Sequence, residues 1–182
     1  MSVDTFITSH LITYPHGEES EYNEQAEVPE CDLVTFLAVT QKLQVDILPI
    51  TWNSARELIG FGLTATVHEA LINSQTSFAF KRTRQHKLNR ARGLQALINE
   101  LAVLSQLREH PNTVELHGIC WDVRAYDVWP VLVFEKAQFG DLSNFLKLPV
   151  GRDLFIPERL SLCVDIGTAI IYMHSHGMKI RS

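Results

Sequence analysis

Two glycines and a small residue in Gly60-Phe61-Gly62-Leu63-Thr64-Ala65-Thr66-Val67 stand at the spacing of a loop folded over an anion. Residues without a bulky side chain let backbone N–H groups approach a phosphate and face it. Alone, the same pair reads equally well as a hairpin turn. A second chemical signal comes at Phe78-Ala79-Phe80-Lys81. Alternation along a strand puts Ala79 and Lys81 on one side and turns the two phenylalanines toward core. A lysine on the inner face of a sheet is costly unless its charge is paired, and Glu100 is on offer in the next segment. The plain alternative is an exposed surface lysine.

These side chains need a frame. Leu58 to Leu71 and Ser77 to Lys81 read as two strands joined through the turn-prone Asn73-Ser74-Gln75-Thr76. From Gly93 to Arg108, Leu94, Leu97, Ile98, Leu101, Leu104 and Leu107 recur at helical spacing, and the pattern stops at His110-Pro111. Val114 to Trp121 and Val131 to Phe134 read as two further strands, the second introduced by Pro130. The predicted order is strand, strand, helix, strand, strand. Pro157 suits a first helical turn, and the apolar residues Leu160, Leu162, Val164, Ile166, Ile170, Ile171 and Met173 surround the segment after it, which predicts a buried helix. Ahead of all this, Asp32 to Val45 predicts a short amphipathic helix capped by Asp32 that packs on the residues after Pro49. Glu18 to Glu30 holds six glutamates and almost no large apolar residue, the pattern of a solvated flexible arm. The fold class is α+β, with residues 1–50 as arm and short helix and 51–182 as one domain.

The glycine loop, Lys81 ahead of Glu100, the strand Val131-Leu132-Val133-Phe134 and the adjoining Glu135-Lys136-Ala137-Gln138-Phe139-Gly140-Asp141-Leu142 together resemble the eukaryotic-type protein kinase superfamily. The likeness runs from about Thr51 to Ile180. Trp129 to Lys136 and Cys163 to Ile170 are similar to kinase-domain proteins of filamentous fungi. The resemblance implies a twisted antiparallel sheet plus one helix as an N-lobe over 51–137. A hinge and the first helices of an incomplete C-lobe would come next, over 138–182. It implies that the loop around Gly60, Gly62 and Ala65 covers the phosphates of ATP, that a lysine like Lys81 holds them, and that Glu100 pairs with it as the other catalytic residue. It places Phe134 behind the adenine, with the Glu135 carbonyl and Ala137 N–H on the base edge. Ile59, Val67 and Ala79 would lie against its faces, and Asp141 near the ribose.

Two departures carry expectations. Ala65 stands where the family often has a third glycine, so its methyl group crowds the phosphates slightly. The register after Tyr172-Met173-His174-Ser175-His176-Gly177 gives Ile180-Arg181-Ser182, where the family continues into a His-Arg-Asp loop and an Asp-Phe-Gly metal site. The catalytic aspartate and magnesium ligands are therefore expected only in a complete family member, and these residues alone are expected not to transfer phosphate. The Pro157–His176 helix is then expected to lack its neighbours, making the product prone to aggregate or dependent on a partner.

Composition bounds the partners. With 182 residues, 46% hydrophobic and 20% charged, the chain reads as ordinary globular protein. A net charge of −5 offers no broad basic field for nucleic acid. No apolar stretch reaches the roughly 18–20 residues needed to span a bilayer, and Met1 to His10 lacks a leader pattern, so a cytoplasmic or nuclear location is expected. Cys31, Cys120 and Cys163 are far apart, which points to reduced, mostly buried thiols rather than disulfides or zinc. His174 and His176, two apart on a helix, do not share a face, and no metal site is expected. Three readings stay open: an incomplete copy of a phosphoryl-transferring enzyme, a non-catalytic pseudokinase-like module that docks on a protein partner or binds nucleotide, and an unrelated α+β interaction domain.

Overall fold

The structure, a computed structural model, describes residues 12–13, 31–52, 58–61, 65–71, 77–83, 89–125 and 127–180. The acidic run 18–30, Gly62 and the 73–76 turn lie outside them. Among the described residues the order is β1 (Ile12–Thr13), α1 (Leu33–Lys42), β2 (Ile47–Thr51), β3 (Leu58–Phe61), β4 (Ala65–Leu71), β5 (Ser77–Thr83), α2 (Arg90–Leu107), β6 (Leu116–Arg124), β7 (Asp127–Glu135), α3 (Leu142–Phe145), α4 (Pro149–Arg152), α5 (Ile156–Ser175) and β8 (Lys179–Ile180).

Six strands form one sheet in the order β2-β6-β7-β5-β4-β3, and β1 pairs separately with β8. The sheet is antiparallel except at β2, which joins β6 in parallel. That strand gives little signal in the sequence because it is five residues long, contains Pro49 and pairs with a strand far along the chain. The stretch Leu58 to Leu71, read as a single strand, is two. These are β3 and β4, which pair antiparallel from Leu58–His68 to Phe61–Thr66. Pro130 sits inside β7 rather than ahead of it, opposite Trp121. Having no N–H to give a second neighbour, it lies beyond the last β5–β7 pair, Lys81–Leu132.

Residues of alternate parity feed two cores. On one face Phe36, Val45, Leu94, Leu97, Leu101, Leu104, Ile119, Leu132 and Phe134 bury together, joining α1 and α2 to the sheet. On the other, Trp52, Phe80, Cys120, Val131 and Val133 pack with Phe78. Asp32 caps α1 by accepting from the Thr35 N–H at 2.7 Å. Helix α2 starts at Arg90, ahead of the predicted Gly93, because the Asn89 side chain accepts from the Arg92 N–H at 2.8 Å.

Helix α5 has the predicted start, with Pro157 in its first turn and the Glu158 carboxylate accepting from the Phe155 N–H at 2.8 Å. Its burial differs from the prediction. Leu162, Ala169 and Met173 are buried, whereas Leu160, Val164 and Ile171 are 59%, 62% and 69% exposed. One stripe meets Val103 and Leu107 of α2, and the remaining apolar surface faces outward among the described residues. Asn112 fastens the α2–β6 connection to this helix, its amide donating to the Asp165 carbonyl at 3.2 Å and to Thr168 Oγ1 at 3.1 Å. Cys31 and Cys120 are buried, while Cys163 is exposed.

Candidate functional site

Strand register assembles the site. Gly60 pairs with Val67, Val67 with Lys81, and Lys81 with Leu132, so one row crosses β3, β4, β5 and β7. The next row runs Glu69, Ala79, Phe134 and Leu116. Directly paired residues share a face and alternation carries that face along each strand, so Ala65, Val67, Ala79 and Lys81 project to the same side as α2. The β3–β4 register shifts between Leu58 and Gly60, giving Ile59 and Gly60 the shared position opposite Val67. Ile59 is 43% exposed, and Ala65 is buried at the far end of β4.

The decisive contact lies between the sheet and α2. Lys81 Nζ donates to Glu100 Oε1 at 2.5 Å, with the two side chains 11% and 19% exposed. Two nearly buried opposite charges at that distance interact far more strongly than a surface pair, and each fixes the other's position. Glu100 reaches inward because it lies on the α2 face with Leu97, Leu101 and Leu104, one turn apart. An exposed lysine is thereby excluded. What results is a cation held at a fixed place beside a run of small and apolar side chains. Phosphate groups need such a cation, and a planar base needs such a lining.

Residues at the end of β7 are arranged by local hydrogen bonds. The Glu135 N–H donates to the Glu115 carbonyl at 3.0 Å, and the Glu135 carboxylate accepts from the Glu115 N–H at 2.8 Å. This doubly held residue ends the strand and sets the course of Lys136 and Ala137. Asp141 is exposed and caps α3, its carboxylate accepting from the Asn144 N–H and side-chain amide, both at 2.8 Å. Phe134, at 7% exposed, is buried behind Ala79. Among the described residues no cluster of three or more His, Cys, Asp or Glu is placed to hold a metal ion.

Sequence reasoning missed what steadies α2. Arg90, at its first turn, donates to the Asp127 carboxylate and to the Val128 carbonyl at 3.0 Å, and its guanidinium lies over Trp129. Gly93 meets that indole so closely that a Cβ there would lie 2.8 Å from Trp129 Cη2. The sequence signal was a glycine early in an otherwise strongly helical segment, a position that is costly unless something needs the space.

A family profile described as protein tyrosine and serine/threonine kinase matches residues 54–181. Among curated proteins the chain is similar to Wall-associated receptor kinase-like 14 of Arabidopsis thaliana, 33% identical over 122 residues that make up 67% of this chain and 16% of that protein. It is similar to Calmodulin-binding receptor-like cytoplasmic kinase 1 of the same plant, 30% identical over 118 residues, or 65% of this chain and 24% of that protein. Protein sevenless of Drosophila virilis is 28% identical over 149 residues, 76% of this chain and 6% of its own length. The chain thus spans a quarter or less of each of these relatives.

Proposed function

The chain belongs to the protein tyrosine and serine/threonine kinase family, and from that premise we propose that residues 51–182 hold ATP for phosphoryl transfer to protein hydroxyls. The observation that carries the reading is the Lys81–Glu100 contact at 2.5 Å. In it, Glu100 keeps the Lys81 ammonium from swinging into solvent, and Lys81 donates to the α- and β-phosphate oxygens. Gly60, Gly62 and Ala65 let the β3–β4 connection approach the phosphates, Ile59, Val67 and Ala79 cover the adenine faces, and the Glu135 carbonyl and Ala137 N–H meet its edge. Asp141 accepts from a ribose hydroxyl with carboxylate capacity beyond its capping bonds. A cation already fixed in place supplies electrostatic stabilisation without reorganising during the reaction.

Magnesium, where a complete family member holds it, would supply neutralisation of the phosphate charge. No residue of this chain is assigned to it, and none is assigned as the general base. The proposed contribution of these residues is therefore nucleotide holding, in a domain whose first lobe runs over 51–137 and whose hinge and second-lobe helices occupy 138–182. A pseudokinase-like interaction module is the second reading, favoured by the outward apolar surface of α5. A cytoplasmic location, with the nucleus as alternative, accompanies either. No helix among the described residues is long and apolar enough to cross a membrane.

Titration of the chain with a fluorescent ATP analogue tests the reading. Loss of the cation in Lys81→Met is expected to weaken binding at least about tenfold, a factor equal to about 1.4 kcal/mol. Unchanged binding in that variant would overturn the site. Phosphate transfer from ATP to a generic protein substrate, if observed, would overturn the module reading, which requires that no turnover occur.

A further inference from the structure

Residues 31–52 lie ahead of the stretch that matches the family, 54–181, yet they are built into both faces of its sheet. Helix α1 sends fully buried Phe36 among Leu94, Leu97, Leu101 and Leu104 of α2, and its edge meets the Trp121 ring. The chain then turns at Gln44, which has a φ of 54°, and enters the sheet as β2. There the Ile119 N–H donates to the Asp46 carbonyl at 2.9 Å and the Trp52 N–H to the Trp121 carbonyl at 2.9 Å. Trp52 buries on the opposite face beside Phe80, the residue preceding Lys81. The far end of α2 is tied to the same turn, because Arg108 donates to the carbonyls of Leu43 and Gln44 at 3.1 and 3.3 Å. Gly118 records how closely this segment approaches: its φ is +150°, and a Cβ there would lie 2.4 Å from the Asp46 carbonyl oxygen.

We propose that residues 31–52 are an intramolecular clamp that seats α2 on the sheet and so positions Glu100 against Lys81. Phe36 and Arg108 are its positioning residues. The inference rests on the nucleotide reading for its functional consequence and on the packing alone for its structural one. Arg90 fixes one end of α2 on β7 and α5 packs on Val103 and Leu107, while the stripe of Leu97, Leu101 and Leu104 that flanks Glu100 closes on Phe36 of the clamp. The apparent affinity of a site that is assembled only part of the time falls by the fraction assembled. A clamp that can loosen therefore gives the chain a means of grading nucleotide affinity from outside the matched region.

The experiment uses the full chain with Phe36→Ala, Phe36→Leu and Arg108→Ala, reading affinity for the fluorescent ATP analogue and amide hydrogen exchange along α2 and α5. With the seat occupied about a tenth of the time, Phe36→Ala weakens binding about tenfold, and Phe36→Leu restores most of it. Arg108→Ala, at an exposed side chain that leaves the core intact, weakens binding about threefold on the same relation. In both, exchange quickens at Leu97 to Glu100 and is unchanged in α5. In the Lys81→Met background neither variant weakens binding further, as a merely stabilising role would not predict. Should Phe36→Ala fail to fold, Arg108→Ala decides. Affinity within twofold of the parent in a folded variant, or quickened exchange spread evenly over α2 and α5, overturns the clamp. A parent chain that binds no nucleotide overturns the proposed function instead, and the exchange pattern then decides the clamp by itself.

Discussion

Gly93 offers a test in which the sign of an effect depends on its background. In the first turn of α2, replacing glycine by alanine stabilises a helix by about 1 kcal/mol when nothing else changes. Here the added methyl would lie 2.8 Å from Cη2 and 3.0 Å from Cζ2 of Trp129, and that indole is 3% exposed with little room to retreat. Overpacking a rigid core contact costs about 1–3 kcal/mol, so Gly93→Ala is expected to be destabilising by about 1 kcal/mol net. Trp129→Phe removes both clashing atoms. It sacrifices packing but no hydrogen bond to the described residues, among which Trp129 Nε1 has no partner. In that background only the helical preference remains, and Gly93→Ala should stabilise by about 1 kcal/mol. Urea unfolding of the four proteins completes the cycle, with an interaction between the sites of about 1–3 kcal/mol. A Gly93→Ala protein more stable than the parent, or an equal effect in both backgrounds, would refute the claim that Trp129 fixes the approach of α2.

The same geometry sets other outcomes. Leu101→Ala, at a fully buried position beneath Glu100, should cost about 2–5 kcal/mol by urea unfolding with little change in slope. The Thr35 backbone N–H, followed by its side chain, holds the Asp32 carboxyl below its ordinary range. Its stabilisation is therefore present above the unfolded carboxyl's pKa and is lost as pH falls through the lower folded value, so Asp32→Asn should flatten the acid side of a stability profile. A thiol reagent at neutral pH should label Cys163 first. Cys31 should lag, because burial and then the neighbouring Asp32 charge push its thiol pKa up; simultaneous labelling of the two would contradict this packing.

What the sequence disclosed about the site was its local part. Phe78 to Lys81 alternates cleanly, and the leucines of α2 mark a single stripe, so Lys81 and Glu100 were both aimed inward by patterns a few residues long. The split of Leu58 to Leu71 was hidden because an apolar run with glycines looks the same whether it continues or folds back. Asp141 was placed by analogy, and its capping bonds to Asn144 reflect a local preference of aspartate before a short helix. The contribution of β2 was illegible for another reason: a parallel partner leaves no turn signal between the strands. For α5, composition reported the surface the helix would bury without reporting what covers it, and Leu160, Val164 and Ile171 stand exposed.

The parallel junction of β2 with β6 also dictates an order of assembly. Ile47 must wait for Ile119, whereas β4 with β5 and β6 with β7 are neighbours along the chain. At a synthesis rate of about 5–20 residues per second, roughly seventy intervening residues keep Phe36 and Val45 without their partners for several seconds on the ribosome. The earliest strand of the six-stranded sheet thus waits longest for its partner, and a chaperone that shields it during that interval would govern the yield of correctly closed molecules.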